Sequence, residues 1–169
     1  RIAQIDFVQL AGLVVTIGAG ADETVIGGAS YVGRTTDDGA RVAEVAFTIE
    51  EDFQGQGLAS RLLAALVTLA RRHGIVRFEA EVLSANSPML AVFQHSGLPQ
   101  RKRSEGGVAH LDLDLARVEL TALEHGPELG SRLGVARLRR LVGREAEHLR
   151  LGQQRVEHEG QRDERQVGH

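Results

Sequence analysis

Phe47-Thr-Ile-Glu-Glu-Asp-Phe-Gln-Gly-Gln-Gly-Leu-Ala59 runs directly into Ser60-Arg-Leu-Leu-Ala-Ala-Leu-Val-Thr-Leu-Ala70. The first stretch reads as the end of an apolar strand and a turn with two glycines. The second reads as an amphipathic helix. Leu58, Leu62, Leu66 and Leu69 recur at helical spacing, broadened by Leu63 and Ala70, while Arg61, Arg71 and Arg72 fall on the other side. The basic end suits the negative pole of the helix, and Gly74 stops it after His73. The turn from Gln54 to Ser60 offers backbone N–H groups with little side-chain obstruction. Unpaired N–H groups at the positive pole of a helix make a seat for a pyrophosphate. A dinucleotide fingerprint does not fit, because Ser60 stands where its third glycine belongs and no parallel βαβ pattern follows.

Outward from this stretch, Val42–Ile49 alternates: Ala43, Val45, Phe47 and Ile49 share one face and Val42, Glu44, Ala46 and Thr48 the other. Upstream, Leu10–Ala19 and Thr24–Gly33 read as strands, with turn signals at Gly18–Glu23 and Thr36-Asp-Asp-Gly39. The three strands suggest an antiparallel meander. Downstream, Val76–Leu83 is a strand with Val76, Phe78, Ala80 and Val82 on one face. Asn86-Ser-Pro88 opens a short helix to about Ser96, and Leu98–Arg103 with Val108–Leu115 closes as a hairpin. Three strands, helix, strand, helix and two strands make an α+β fold with a mixed, mostly antiparallel sheet and flanking helices.

Composition narrows the possibilities. The 169 residues carry a formal charge of −3, which gives no bulk electrostatic attraction for nucleic acid. With no cysteine, disulfides, thiolate metal sites and cysteine nucleophiles are excluded, and the scattered histidines show no metal-ligand spacing. No apolar run approaches a membrane span and no signal peptide is recognisable, so a cytoplasmic protein is expected. The chain opens with Arg1, so a longer parent chain is expected as well. Residues 1–116 hold every aromatic residue and the single lysine, Lys102; residues 117–169 are dense in Arg, Glu, Gln, His and Gly. A domain boundary is therefore placed near Ala116. In the extension, Leu129, Leu133, Leu138, Leu141, Val142 and Leu149 suggest an amphipathic helix weakened by Gly130, Gly134 and Gly143. Beyond Gly152 the composition is that of a disordered segment.

Gln54-Gly-Gln-Gly57-Leu-Ala59 resembles the Gln/Arg-x-x-Gly-x-Gly/Ala signature of the GNAT superfamily of N-acetyltransferases. The likeness extends to Ala43-Glu-Val-Ala-Phe47, Asn86-Ser-Pro-Met89 and Phe93-x-x-Ser-Gly97, and covers roughly residues 3–115. More narrowly, Ala43–Leu115 is similar to the acetyltransferase domain of bacterial protein lysine acetyltransferases. The resemblance implies acetyl-CoA as cosubstrate, with no metal. Backbone groups of Phe47 and Ile49 would hold the pantetheine arm. Gln54, Gly55, Gln56, Gly57, Leu58, Ala59 and Ser60 would take the pyrophosphate, and Asn86, Met89 and Phe93 would line the other side. Glu44 matches the glutamate base of several lysine-directed members, and the acceptor would be a protein lysine, for instance on an acyl-CoA synthetase. The plainer alternative for Glu44 is a solvated strand glutamate. Glu79 and Glu81 would assist it, attract a cationic lysine, or simply be solvated.

Two departures stand out. Many members carry a tyrosine acid on the helix after Asn86, where this chain has Phe93; its only tyrosine is Tyr31. A complete domain also opens with a strand and one or two helices, and only about nine residues precede Leu10 here. The rival function is accordingly a non-catalytic acyl-CoA-binding or regulatory module.

Overall fold

A computed structural model of the chain describes residues 7–117, 137–141, 147–151 and 153. Among them, strands β1 (Phe7–Ile17), β2 (Thr24–Thr35), β3 (Arg41–Ile49), β4 (Arg77–Leu83), β5 (Gln100–Glu105), β6 (Val108–Asp114) and β7 (Arg137–Leu141) form one sheet. Their spatial order is β5-β6-β4-β3-β2-β1-β7. Helix α1 (Leu58–Arg72) joins β3 to β4, and α2 (Ser87–Gln94) joins β4 to β5. Every neighbouring pair is antiparallel except β3 with β4. This is the mixed α+β architecture that the alternation of periods 2 and 3.6 indicates.

One face of the sheet carries the main core. Leu58, Leu62, Leu63, Leu66, Val67 and Ala70 of α1 are buried there. They pack with Leu13, Val15, Tyr31, Val45 and Phe78 from the strands, and Phe93 of α2 closes the cluster. Leu69 lies at its margin, only partly buried, because the buried arc of α1 is centred closer to Val67. The helix ends as its sequence dictates: Gly74 adopts φ 75°, and the Ile75 N–H turns back to the Ala70 carbonyl at 3.0 Å.

The other face is covered from the C-terminal part of the chain. Val14 and Leu141 are buried there with Leu10 and Leu149 against them. Leu149 sits in a helical segment, 147–151, over Gly28, where a Cβ would come within 2.9 Å of Leu149 Cδ1. Gln153, 2% exposed, accepts a hydrogen bond from Ser30 Oγ (2.6 Å) and donates to the carbonyls of Ala46 (3.2 Å) and Gly28 (3.4 Å).

A single helix through Leu138 and Leu141 is therefore incorrect. Both residues belong to β7, which pairs antiparallel with β1 from Gly12↔Leu141 to Thr16↔Arg137. The physical reason is the outer edge of β1. It presents a row of backbone donors and acceptors that another strand can satisfy, whereas glycines at 130, 134 and 143 weaken a long helix. Gln153, the first residue of the segment expected to be disordered beyond Gly152, is instead buried and hydrogen-bonded, while Leu129, Leu133 and Val142, most of 117–169 and the rest of that segment lie outside the described residues.

Candidate functional site

The parallel pair β3–β4 stays in register over only three positions: Val42↔Arg77, Ala43↔Phe78 and Glu44↔Glu79. Beyond them the strands separate. The Glu50 N–H bonds the Ile26 carbonyl at 3.0 Å, so even positions of β3 direct their backbone groups at β2 and odd positions direct theirs at β4. Arg41, an odd position, duly accepts from the Val76 N–H at 2.9 Å. Past the last paired position, the Val45 C=O, both backbone groups of Phe47 and the Ile49 N–H turn into the gap. The gap holds a cavity of about 470 Å³.

At one end of this cavity lies the start of α1. Gly55 has φ 72° and Gly57, the N-cap residue, φ 81°, and no side chain caps the helix. The turn is braced from behind: Gln54 Nε2 donates to the Ile49 carbonyl (3.2 Å) and Gln56 Nε2 to the Asp52 carbonyl (3.3 Å). The first-turn N–H groups of α1 thus remain at its positive pole with no side chain over them. On the opposite wall, Asn86 Oδ1 accepts from the Met89 N–H (3.2 Å), which starts α2 with Pro88 in its first turn. Phe93, 1% exposed, meets Phe47 edge to face with ring centroids 5.8 Å apart.

Phe47, Ile49, Gln54, Gly55, Gly57, Leu58, Ala59, Ser60, Asn86, Met89 and Phe93 all line this one cavity. Gln56 does not; its side chain is committed to Asp52. Glu44 lies on the other face of the sheet, lining a second cavity of about 540 Å³ with Glu79, Glu81, His110 and Asp112. Ala80 and Glu81 of β4 border both cavities.

The carboxylates of the second cavity differ in their surroundings. Glu79 receives two hydrogen bonds from Arg34, at 2.6 and 3.0 Å, and one from Arg77 at 3.3 Å. Partial burial pulls the Glu79 carboxyl upward, but the Arg34 hydrogen bonds and the charges of Arg34 and Arg77 outweigh it and hold it below its ordinary 4.5. Glu79 is therefore a committed anion, not the solvated carboxylate of the plainest sequence reading. Glu81 meets His110 Nδ1 at 3.1 Å. Glu44 is exposed, and its carboxylate has no hydrogen bond or ion pair to another described residue. Its lone-pair sites are available to an incoming N–H.

Comparison with known proteins decides the family. The Acetyltransferase (GNAT) family matches residues 3–98, more than half of the chain. The chain belongs to the GNAT acetyltransferase family. Within it, the chain is 38% identical over 90 residues to the acetyltransferase Pat of Mycolicibacterium smegmatis, covering 53% of this chain and 26% of that protein. The GNAT domain of S. lividans PAT is 40% identical, with a TM-score of 0.54 over 64% of this chain and 62% of that one. A cAMP-binding acyltransferase from Mycobacterium smegmatis is 31% identical, with a TM-score of 0.51 over 69% of this chain and 35% of that one. The chain thus spans about a quarter of the mycobacterial Pat and under two thirds of the S. lividans domain.

As a GNAT chain it has features that its motifs did not reveal. Tyr31, fully buried, is no stand-in for a catalytic tyrosine: its Oη lies 2.6 Å from His73 Nδ1, tying β2 to the end of α1. Burial pushes the Tyr31 phenol up to about 12, so it keeps its proton. His73 is not the unremarkable surface histidine that its position suggests. Arg34, overlooked in the sequence, is the residue that fixes Glu79. Its signal was an arginine on an otherwise small, apolar strand.

Proposed function

We propose that this GNAT domain transfers the acetyl group of acetyl-CoA to the amine of a protein lysine, with Glu44 as general base. One observation carries the reading: β3 and β4 part immediately after Glu44↔Glu79, and Ala80 and Glu81 of β4 border both the cavity at the bare start of α1 and the cavity of Glu44. The site suits the cosubstrate. Gly55 and Gly57 leave more than 4 Å of open space where a side chain would stand, beside first-turn N–H groups suited to a pyrophosphate. The odd-position backbone groups of β3 suit an amide-bearing arm laid along the strand like an added neighbour. Bound acetyl-CoA supplies an acetyl thioester.

The chain's own groups then do two things. A free N–H of β3 facing the gap can hydrogen-bond the oxygen on which charge develops; one such donor is worth about 2.7–4 kcal/mol where measured in another enzyme. Glu44 accepts the proton that an ammonium of pKa about 10.4 must lose before its nitrogen can attack. Glu79, paired with Arg34 and Arg77, is not the base. No acid is assigned, since the family's tyrosine position is Phe93, buried against Phe47.

The test pairs two measurements on the chain and on Glu44→Gln. Calorimetry should show acetyl-CoA binding equally to both. Acetyl transfer to a lysine peptide should fall by about 10²–10⁴-fold in the variant, the usual contribution of general base catalysis. Equal rates would remove Glu44 as base. Binding with no transfer by the unsubstituted chain would favour the non-catalytic acyl-CoA-binding module.

A further inference from the structure

The far-face cavity has an ordered charge pattern. In register, Glu44 (β3), Glu79 (β4), Asp112 (β6) and Arg101 (β5) form one row across four adjacent strands. The next row runs Glu81, His110 and Arg103. Directly opposed residues of neighbouring strands share a face, so both rows point into the same cavity, which all seven line. Several of these charges are spoken for: Glu79 by Arg34 and Arg77, Glu81 by His110, and Arg103 loosely by Glu105 at 3.8 Å. Glu44 at one end of the first row, Arg101 at the other and Asp112, which stands opposite Arg101, have no ion-pair partner among the described residues. Among the described residues, the row therefore ends in an unpaired anion beside the cosubstrate slot and an unpaired cation at its outer wall, with the Asp112 carboxylate between them.

We infer that the acceptor is a lysine peptide with an acidic residue close to the modified lysine, its amine received at Glu44 and its carboxylate at Arg101, with Arg103 beside it. This rests on the acetyl-transfer reading and adds a sequence preference to it. Spacing decides which class of amine fits. Glu44 and Arg101 stand three strand intervals apart, about 14 Å. An extended peptide advances about 3.3–3.6 Å per residue. With the reach of both side chains, a carboxylate one to three positions from the lysine lies over β5. In a small zwitterionic amine the two charges are too close together to meet both ends of the row. The wall itself can receive a chain: every residue of β5 is exposed, and β5 is the edge strand of the sheet.

The experiment uses three peptides alike except for aspartate, asparagine or lysine two positions from a single acceptor lysine. Initial acetyl-transfer rates are measured with the chain and with Arg101→Glu, alongside acetyl-CoA calorimetry. The chain should favour the aspartate peptide over the asparagine peptide by about fivefold in kcat/KM, carried in KM, as expected of one exposed ion pair. The preference should shrink at high salt. Arg101→Glu should invert the order of the aspartate and lysine peptides while leaving acetyl-CoA affinity within twofold. Equal rates on all three peptides, or a preference that survives Arg101→Glu, would overturn the inference and leave acetyl transfer standing. Acetyl-CoA binding without transfer to any peptide would overturn the lysine-transfer reading and this inference with it.

Discussion

Replacing Gln153 by leucine tests whether the C-terminal residues belong to the working domain. The Gln153 amide is buried and bridges β2 and β3 through Ser30 Oγ, Gly28 O and Ala46 O. Leucine keeps the bulk but leaves the buried Ser30 hydroxyl without its acceptor. Orphaning such a group costs about 1–3 kcal/mol, while the two carbonyls keep their places in the sheet ladder. Ser30→Ala should cost a similar amount by stranding the Gln153 Oε1. The joint variant strands neither, so its loss should fall short of the sum by about 1–2 kcal/mol, within the range for residues in direct contact. Urea unfolding at neutral pH reads these values from the shift in midpoint at constant slope. Each kcal/mol should also lower Tm by about 2–4 °C in a chain of this size. Additive losses within about 0.5 kcal/mol would refute the docking. Single variants as stable as the unsubstituted chain would do the same, and would sever the tail from β3.

Other consequences follow from the same geometry. Phe93→Ala empties a fully buried site against Phe47 and should cost about 3–5 kcal/mol by urea unfolding; an unchanged midpoint would mean that α2 does not close the core. Gly57→Ala places a side chain at φ 81° and over the open seat. It should cost about 1–2 kcal/mol of stability and weaken acetyl-CoA binding in calorimetry, and unaltered affinity would move the pyrophosphate elsewhere. Stability should fall with acid in two windows. Burial, then the charges of Arg140 and Arg41, hold His73 below its ordinary 6.5, so the unfolded chain binds a proton that the folded chain resists. Stability is thus lost as pH drops from about 6.5 towards the lowered His73 value, and unfolding midpoints for His73→Gln should lose that slope. The lowered Glu79 carboxyl adds stability above 4.5 that is lost as pH falls through its folded value, and Arg34→Met should shrink that second window, leaving only the Arg77 contribution.

What the sequence discloses is local. Val42–Ile49 alternates because one face packs on α1, and the leucines from Leu58 to Leu66 repeat because the helix has one buried side. Both patterns can be read within a dozen residues, as can the two glycines of the turn and the Asn86 cap. The slot residues named from the motif, Gln56 apart, converge on one cavity because they belong to two strand-to-helix junctions, whose geometry short-range chemistry dictates. The remaining interactions are long-range. Arg34 and Glu79 are 45 positions apart, Tyr31 and His73 are 42 apart, and Ser30 and Gln153 are 123 apart. Each depends on which strands become neighbours, and periodicity carries no information about that. The tail misled for a related reason: Leu138 and Leu141 fit a helical interval, and only the open edge of β1 makes a strand the better outcome.

The single parallel pair explains why the parts of the site adjoin. In an antiparallel hairpin the chain returns at once, and no helix can begin at the end of the first strand. Because β4 must run alongside β3 in the same direction, the chain crosses the length of the sheet as α1 between them. The start of α1, with its unsatisfied N–H groups, is therefore placed beyond the end of β3, where β3 and β4 have already parted. Anion seat and strand gap come from one connection. The charges on the far face then divide the labour. Arg34 reaches from β2 to neutralise Glu79 at the last paired position, leaving Glu44 as the unpartnered carboxylate at the mouth of the gap. Were Arg34 absent, two carboxylates in register on neighbouring strands would repel across the pair. The pairing that stabilises this corner of the sheet thus also leaves one carboxylate free beside the slot.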